Sequence, residues 1–467
     1  MSRKTPLMEV RRVTKYFPIR RGLRLQALSD INFTLFAGEK FAVVGESGCG
    51  KSTLARVMLL LYPPSRGDCL YYGQSLGEFS PRYHGREIRR LLSIQKKAKK
   101  YALRAAQLKD NPKAQARALR LNEHWLNEGS KTVGSLILCQ NLPEIEGLFL
   151  EAHQAAAKAH QLIRVGNDPA AAAVLEKEAE QKREMAFSFR GKNLDTGLSP
   201  RAAEEEFLAL LDAHYETGIN LSKLNGIEMK SLRSEMQMVF QDPAASLDPR
   251  QAVGKAIEEV LEIHTSLGSE ARKERVMALL ERVGLRREHY HYYPNALSGG
   301  QKQRVCIARA IATDTRLVVL DESLAALDVS VQAQILDLLN ELASDGRTYL
   351  FITHDLGVAK YFCHRIMVMY LGCECEVASA EDLFASPLHP YTQSLLAAIP
   401  RPEPREVDYE AQVLEGEVPN ALYPPTGCFF HTRCNRASDI CRREKPELME
   451  YKNEHFVACH LYKAPPA

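Results

Sequence analysis

Nine residues, GESGCGKST, form the part of the chain that most directly suggests a chemistry. They follow the short apolar run FAVVG and precede a stretch of helical character, which is the context of a phosphate-binding loop. Glycines let backbone N–H groups approach phosphates at a helix N-terminus, where anions are favoured. Lys51 is expected to reach the β- and γ-phosphates of ATP, and Ser52 to ligate magnesium. The alternative is a glycine-rich turn without a ligand. The residues expected to contact the nucleotide here are Gly45, Glu46, Ser47, Gly48, Cys49, Gly50, Lys51, Ser52 and Thr53.

An acidic pair, Asp321 and Glu322, ends the apolar run LVVLDE. Such a pair alone is more often the start of a solvated loop. In a chain that carries a phosphate-binding loop, Asp321 is expected to be the second residue associated with magnesium. Glu322 is then expected to orient or deprotonate the attacking water as a general base. The predicted chemistry is ATP hydrolysis.

The elements that must position these residues alternate along the chain. Short apolar runs predict buried strands at 41–45, 316–321, 348–354 and 365–372. Helical patterns follow them at 52–61, 301–313, 331–344 and 356–362. This alternation predicts an α/β fold with a mostly parallel sheet, whose ligands lie at the carboxyl ends of the strands.

Composition sets broad limits on the class of protein. The chain has 467 residues, of which 45% are hydrophobic and 25% charged, with a formal net charge of +3. These values are typical of globular proteins and favour neither a nucleic-acid nor a membrane-surface partner. The first twelve residues lack the apolar core of a secretory signal, and no apolar run reaches the length of a membrane span. Any role in transport is therefore expected from the aqueous side, with other subunits forming the pore.

The run LSGGQKQR resembles the signature motif of ATP-binding cassette (ABC) proteins. The resemblance implies that Ser298, Gly299, Gly300 and Gln301 cap the γ-phosphate held by an opposite subunit. A serine hydroxyl and glycine amides at a helix start suit that task. The implied fold is a phosphate-loop cassette, with a mostly parallel core sheet, an antiparallel β subdomain and a helical subdomain.

The same resemblance assigns further roles. Gln241 in MVFQDP is implied to contact magnesium and to sense the transmembrane subunit, and Asp328 to lie at the dimer seam. His354 stands 32 residues after Glu322 and is implied to contact the γ-phosphate, although a lone histidine at a strand end is usually structural. The expected adenine-stacking aromatic residue is Phe17, with Tyr16 as the second choice.

Longer stretches, including YPNALSGGQKQR and PLHPYTQSLLAAIP, resemble the ATPase subunits of oligopeptide and dipeptide importers, a group that includes nickel importers. MQMVFQDP is more similar to the F-type than to the D-type subunit. The pair Ser323–Leu324 departs from the usual Pro-Thr after the catalytic Glu, which is expected to alter the geometry of the dimer seam. The expected division is 1–73 and 218–386 for the cassette, 74–217 for a helical insert without a match in the group, and 387–467 for a Pro-rich and Cys-rich tail.

The resemblance also implies partners and a location. They are a second cassette, either identical or D-type, two transmembrane permease subunits and, indirectly, a solute-binding protein. The chain is then expected at the cytoplasmic face of the inner membrane as a peripheral subunit, and nucleic acid is not expected as a partner. Two rival functions are a cassette ATPase acting in DNA repair or translation, and a regulatory subunit that binds ATP without turnover.

Four of the eleven cysteines lie in the tail. Cys428, Cys434, Cys441 and Cys459 are separated by five, six and seventeen residues, unlike the CxxC pairs of common zinc sites. Four thiolates are the usual ligands of an iron–sulfur cluster. The importer resemblance implies a 4Fe–4S cluster, while zinc and free thiols remain alternatives. The other seven cysteines are expected to be small apolar residues.

The insert is strongly basic at its start. Residues 82–120 contain thirteen Lys or Arg against two acids, Glu87 and Asp110. Such a helix could meet nucleic acid, anionic lipid or an acidic partner. The favoured interpretation is a solvated face of a helical hairpin whose bases pair with later acidic helices. The sequence does not indicate a function for the insert.

Overall fold

The computed structural model describes residues 5–165, 168–325, 327–399 and 416–462. The chain forms two compact units. The first unit comprises Met1–Gly73 with Met229–Ala467, and the second comprises Gln74–Glu228. Ala326 and the prolines Pro400, Pro402 and Pro404 lie outside the described residues.

The described strands and helices follow one another along the chain. The strands are β1 (Pro6–Arg20), β2 (Leu23–Phe36), β3 (Lys40–Val44), β4 (Arg66–Tyr71), β5 (Ile219–Asn220), β6 (Met236–Val239), β7 (Leu317–Asp321), β8 (Thr348–Thr353), β9 (Arg365–Tyr370), β10 (Cys373–Ser379), β11 (Met449–Lys452) and β12 (His455–Val457). The α-helices are α1 (Lys51–Met58), α2 (Leu76–Phe79), α3 (Arg82–Ile88), α4 (Leu91–Gln107), α5 (Pro112–Val133), α6 (Leu142–Val165), α7 (Pro169–Phe187), α8 (Glu205–Ala213), α9 (Gly226–Leu232), α10 (Val253–His264), α11 (Ser269–Arg282), α12 (Gly299–Ala310), α13 (Val329–Ala343), α14 (Leu356–Phe362), α15 (Ala380–Ala385), α16 (Pro390–Ala397) and α17 (Asp439–Arg443). Among the described residues, no helix has both the length and the apolar character needed to cross a bilayer.

The core of the first unit is an eight-stranded sheet in the order β11-β12-β10-β9-β3-β8-β7-β6. The five strands from β9 to β6 run parallel, and β10, β12 and β11 continue the sheet antiparallel. The parallel strands are almost wholly buried, because helices cover both faces of such a sheet. The predicted α/β class is therefore confirmed, and the four predicted strands correspond to β3, β7, β8 and β9.

A second sheet in the first unit is antiparallel. In it β1 pairs with both β2 and β4, with several register shifts along β1. Phe33 of β2 stacks on Phe41 of β3, with 5.2 Å between the ring centroids, and this contact joins the two sheets through the core. The arrangement fixes the end of β1 that carries Phe17.

The second unit is helical, as predicted for the insert. Helix α4 packs on α5, and α6 packs on α7. Its own core includes Ile137, Leu142, Ile145 and Leu211, each fully buried. The unit continues past the predicted limit at residue 217 to Glu228. Hydrogen bonds explain this extension, since Asn220 N donates to Tyr83 Oη and Arg82 N donates to Glu228 Oε1.

The cysteine-rich tail belongs to the core of the first unit. Strand β12 pairs with β10, with Val457 opposite Glu376. Phe430 is buried against the rings of Tyr370 and Tyr391. The tail is thus attached by backbone pairing and an aromatic cluster, a connection that the sequence did not predict.

Candidate nucleotide-binding site

A pocket of about 300 Å³ gathers many of the predicted residues of the first unit. It contains the phosphate-binding loop, Phe17 from β1, Gln241 after β6 and Glu322 after β7. The described lining residues are Phe17, Leu25, Gln26, Ala27, Ser47, Gly48, Gly50, Lys51, Ser52, Thr53, Gln241, Glu322, Leu371, Gly372 and Ala421. Residues that lie up to about 400 positions apart in the sequence therefore share one concave surface.

The loop between β3 and α1 is shaped by glycines that approach other backbone segments. A Cβ at Gly45 would lie 2.2 Å from Met369 O, and one at Gly50 would lie 2.5 Å from Ala27 O. Gly50 also has φ 103°, which favours glycine, and α1 begins at the next residue. Larger residues at these positions would displace the loop from the start of α1.

Lys51 is the first residue of α1, and its side chain contacts this loop. Its ammonium group donates to Gly45 O at 2.8 Å and to Glu46 O at 3.0 Å. The side chain is only 3% exposed, and Nζ lies 3.6 Å from Glu322 Oε1. Two loop carbonyls and a carboxylate thus surround this buried cation.

The two carboxylates after β7 have different surroundings. Asp321 is 2% exposed and accepts a hydrogen bond from Ser52 Oγ at 2.7 Å. Burial raises the pKa of Asp321, while the Ser52 hydrogen bond lowers it in part. Glu322 is more exposed, and its Oε2 accepts a hydrogen bond from Gln241 Nε2 at 2.9 Å. Ser52 with Asp321 forms one pair at the site, and Gln241 with Glu322 forms another.

The backbone at Glu322 is unusual. Its φ of 46° lies in the left-handed region, which costs a residue with a side chain about 1 kcal/mol or more. The Glu322 N–H donates to Ile352 O on the adjacent β8 at 2.9 Å, which holds this conformation. The chain therefore turns sharply at the end of β7 and directs the Glu322 carboxylate toward Lys51 and Gln241.

The structure distinguishes between the two aromatic candidates. Phe17 lines the nucleotide pocket and makes an edge contact with Tyr62, with 5.5 Å between the ring centroids. Lys15 Nζ lies 5.0 Å from the Phe17 ring centroid. Tyr16 lines a different pocket, with Arg24 and Arg66. Phe17 is thus the one placed beside the phosphate-binding loop.

The signature residues do not line this pocket. Ser298 caps α12: its Oγ accepts from Gln301 N, and its own N donates to Gln301 Oε1. Ser298 and Gly299 are exposed, and Gly300 is half-buried. The helix start is therefore accessible in the single chain, as a surface for an opposite subunit must be.

Asp328 and His354 are also exposed and outside the pocket. Asp328 caps α13, because its side chain accepts a hydrogen bond from Val331 N at 2.9 Å. The Ser330 hydroxyl lowers the pKa of Asp328 by donating to its carboxylate. His354 follows β8, at the carboxyl end of the parallel sheet.

Sequence reasoning missed two residues that contact the phosphate-binding loop from the tail side. Tyr391 Oη accepts a hydrogen bond from Glu46 N at 3.0 Å. The Arg433 guanidinium binds both Glu46 oxygens, at 2.8 and 3.2 Å, and is 6% exposed. Such bidentate pairs are strong and directional. No local pattern could have revealed this contact, because 387 residues separate the partners.

Ser323 and Leu324, where the chain departs from the group's pattern, are both buried. Leu324 belongs to the hydrophobic core of the first unit. Ser323 Oγ has no hydrogen-bond partner among the described residues. The acidic pair before them, Asp321 and Glu322, keeps its contacts with Ser52 and Gln241, so the substitution leaves the pocket assembled.

The tail cysteines lie near one another. Cys428 N donates to Cys441 O at 2.8 Å. Burial raises the pKa of Cys428 to about 11, although a backbone hydrogen bond at Phe430 lowers it in part. Within the described residues, however, no group of three or more His, Cys, Asp or Glu could hold a metal ion. The iron–sulfur site thus stays a prediction. The seven other cysteines are buried, as expected for apolar residues.

The parallel sheet, with GESGCGKST running from the end of β3 into α1, defines the fold of a phosphate-loop NTPase. The ABC transporter family model matches residues 28–177 and 209–325. The model of the oligopeptide/dipeptide transporter C-terminal region matches residues 375–441. The first match continues to residue 177 and resumes at residue 209, so the expectation that the insert has no match was wrong for these parts of it.

The chain is also similar to several known proteins. The chain is 32% identical over 464 residues to the oligopeptide transport ATP-binding protein AppF of Bacillus subtilis (strain 168). This alignment covers 98% of this chain and 97% of that protein. The chain is 46% identical over 234 residues to the di/tripeptide transport ATP-binding protein DppF of Pseudomonas aeruginosa (strain UCBPP-PA14), covering 50% and 72% of the two chains. A dimeric post-hydrolysis ATP-binding cassette, MJ0796 bound to ADP and Pi, matches with 18% identity and a TM-score of 0.45, over 80% of this chain and 99% of that one.

The chain belongs to the ABC transporter ATP-binding proteins, in the group with the oligopeptide/dipeptide transporter C-terminal region. It is therefore an ATPase of the cassette class. This family assignment confirms the resemblance seen in the sequence, including the F-type character that the names of both relatives carry.

Proposed function

We propose that this ATPase energises the import of oligopeptides, dipeptides or a related small solute such as nickel through membrane permease subunits. The observation that carries the proposal is the joining of a phosphate-binding pocket to the oligopeptide/dipeptide C-terminal region in one unit. The relatives are named for peptide transport. Arg433 of the tail region binds Glu46 of the phosphate-binding loop, so the tail region is in direct contact with the nucleotide site.

In this proposal each residue of the pocket has one task. Lys51 binds the β- and γ-phosphates, and Phe17 stacks on the adenine ring. Ser52 Oγ and the Asp321 carboxylate, 2.7 Å apart, are oxygen donors of the kind that Mg²⁺ prefers. Bound there, magnesium would neutralise phosphate charge. Glu322 takes the proton of the attacking water, and Gln241 holds the Glu322 carboxylate in place.

The exposed residues act across a dimer. Ser298, Gly299, Gly300 and Gln301 cap the γ-phosphate held by a second cassette, which is identical to this chain or of the D type. His354 contacts the γ-phosphate at the carboxyl end of the sheet, and Asp328 lies at the seam. Ser298, Gly299, Asp328 and His354 are exposed in the single chain, which supports this division of labour. ATP then favours the closed dimer and hydrolysis releases it, a population shift between two states.

The proposed location is the cytoplasmic face of the inner membrane. There the cassette pair contacts two permease subunits, one of them near Gln241, and a solute-binding protein supplies the solute from the other side. The rival soluble ATPase of DNA repair or translation lacks support, because the tail region that matches the transporter family has no place in it. The other rival, a regulatory subunit that binds ATP without turnover, predicts that replacing Glu322 leaves uptake unchanged.

The test replaces Glu322 by Gln, which keeps the shape of the side chain and removes the base. We expect ATP hydrolysis by the assembled complex to fall by about 100-fold or more, ATP binding to persist, and cellular peptide uptake to stop. Glu381→Gln, at an exposed position on α15, serves as the control and should leave all three unchanged. Unchanged uptake in the Glu322→Gln strain would show that the chain is a regulatory subunit.

We also propose that Cys428, Cys434, Cys441 and Cys459 hold a 4Fe–4S cluster. The proposal rests on the four thiols of the tail and on the hydrogen bond from Cys428 N to Cys441 O, which brings two of their segments together. The cluster would fasten the tail. Protein purified without oxygen is expected to be brown and to contain iron, whereas Cys434→Ser protein is expected to be colourless and less stable to heat. Colourless wild-type protein loaded with zinc would refute the cluster.

A further inference from the structure

The start of the insert carries an unusually cationic surface. All thirteen Lys and Arg side chains between residues 82 and 120 are exposed, and we call this set the basic face. Its members are Arg82, Arg86, Arg89, Arg90, Lys96, Lys97, Lys99, Lys100, Arg104, Lys109, Lys113, Arg117 and Arg120. They lie on α3, α4, α5 and the connections between these helices.

The structure does not show the expected pairing of the basic face with the later acidic helices. Among the described residues, Lys99 is the one member within 4.0 Å of a carboxylate, and its partner Asp195 follows α7 in a loop. Lys97 Nζ lies 4.1 Å from the Trp125 ring centroid. Elsewhere in the insert, acids pair with other bases, as Asp212 does with Arg190. The basic face therefore keeps most of its charge directed to the surroundings.

Part of the basic face forms a groove lined by cations and an exposed leucine. It has a volume of about 560 Å³ and follows one face of α4. Its lining residues are Lys96, Lys99, Lys100, Leu103, Arg104 and Gln107. Leu103 is 55% exposed among the cations, and Leu119 on α5 is exposed between Arg117 and Arg120. Cations surrounding exposed leucines form a pattern that suits the boundary between phosphate headgroups and acyl chains.

We propose that the basic face docks on a bilayer surface rich in anionic phospholipid, with headgroup phosphates between Lys96, Lys100 and Arg104 and with Leu103 against the acyl boundary. The choice of lipid over nucleic acid rests on the proposed importer function, which brings the chain to a membrane. It is also favoured by the groove itself, since none of its described lining residues is an aromatic ring on which bases could stack. The contact would add membrane affinity independent of the permease.

The test uses the purified full chain and flotation with two kinds of vesicle. One is pure phosphatidylcholine, and the other contains about one third phosphatidylglycerol. We expect binding to the anionic vesicles alone, weakened by salt because the attraction is screened. The triple variant Lys96→Gln, Lys100→Gln, Arg104→Gln should bind about 100-fold more weakly, at roughly five-fold per cation. Leu103→Ala should lose a few-fold.

A matched control removes the same charge from the same unit. Lys158→Gln, Lys177→Gln, Lys192→Gln changes three exposed lysines outside the basic face and should bind vesicles as the wild type does. Equal binding by the two triple variants, or equal binding to neutral vesicles, would overturn the proposal. The proposal would also be overturned if the wild type bound an RNA or duplex DNA oligonucleotide more tightly than the anionic vesicles and the Lys96, Lys100 and Arg104 variant lost that binding. ATP hydrolysis should be normal in both triple variants, which separates this proposal from that for the pocket.

Discussion

Charged side chains are used in opposite ways at the nucleotide pocket and on the basic face of the insert. In the pocket, Lys51 and Asp321 are buried and each has a partner within the same unit. On the basic face, Lys96 and Arg104 are exposed, with no carboxylate partner among the described residues. Buried charged side chains with hydrogen-bond or ion-pair partners hold a fixed geometry that suits one small ligand. Exposed charged side chains without such partners suit a broad anionic surface.

The largest expected effect comes from Lys51→Ala in the pocket. Loss of this cation removes a preorganised phosphate contact, so turnover should fall by roughly 100- to 1,000-fold, with ATP affinity also reduced. Isothermal titration and phosphate release measure the two quantities. Lys360→Ala, at an exposed position on α14, is the control. Full affinity and turnover in the Lys51→Ala protein would remove the basis for placing the nucleotide in this pocket.

Arg433→Ala should have the next largest effect, because it leaves the Glu46 carboxylate without its bidentate partner. We expect a loss of about 1–3 kcal/mol in unfolding free energy and about tenfold weaker ATP binding. Arg433→Lys keeps the charge but not the planar fork, so it should recover only part of the loss. If ATP affinity stayed at the wild-type level while stability fell, Arg433 would be a structural residue with no link to the nucleotide.

A third prediction concerns buried histidines, which each unit contains. Burial lowers the pKa of His84 in the insert to about 3 and that of His389 in the cassette to about 4. Because these values lie below the ordinary value of about 6.5, the unfolded chain takes up protons first on acidification. The free energy of unfolding is therefore highest, as far as these histidines determine it, above about pH 6.5. Below that pH it falls by about 1.4 kcal/mol per pH unit for each histidine, until the pH reaches the folded-state pKa of that histidine.

Urea denaturation at pH 7.5 and pH 5.5 measures this loss. His84→Gln should reduce the loss between the two conditions by about 1.4 kcal/mol in the transition that reports on the insert. His124→Gln, at an exposed position on α5, is the control and should leave it unchanged. An identical pH dependence in the His84→Gln and wild-type proteins would contradict the neutral, buried state of His84.

The smallest expected effect belongs to an exposed residue of the cassette itself. Ser298→Ala removes the side-chain cap of α12 and should cost about 1 kcal/mol of stability. ATP affinity of the isolated chain should not change, because Ser298 lies outside the pocket. ATP hydrolysis by the assembled complex should fall. Ser269→Ala, at the start of α11, is the control and should leave hydrolysis unchanged. Weaker ATP binding by the isolated Ser298→Ala chain would contradict the two-subunit arrangement.

Much of the cassette could be predicted from local patterns. The strand ending at Asp321 is a short apolar run, and the loop before Lys51 has glycines at the spacing that phosphate contact requires. The pairing of β10 with β12 and the contact of Arg433 with Glu46 could not be predicted, because they join distant segments without a local signal. The pairing expected for the basic residues of 82–120 was wrong, since charge balance along a sequence does not decide which side chains meet.

The short strand β11 has a consequence for the behaviour of the protein in concentrated solution. It forms one border of the eight-stranded sheet, is four residues long, and carries Glu450 and Lys452 in an exposed position. Short, charged borders discourage strands of other molecules from adding to a sheet. Removal of the chain after residue 440 would instead leave β10, whose residues are mostly buried, as the border. We expect such a truncated protein to self-associate even where its ATPase pocket is intact.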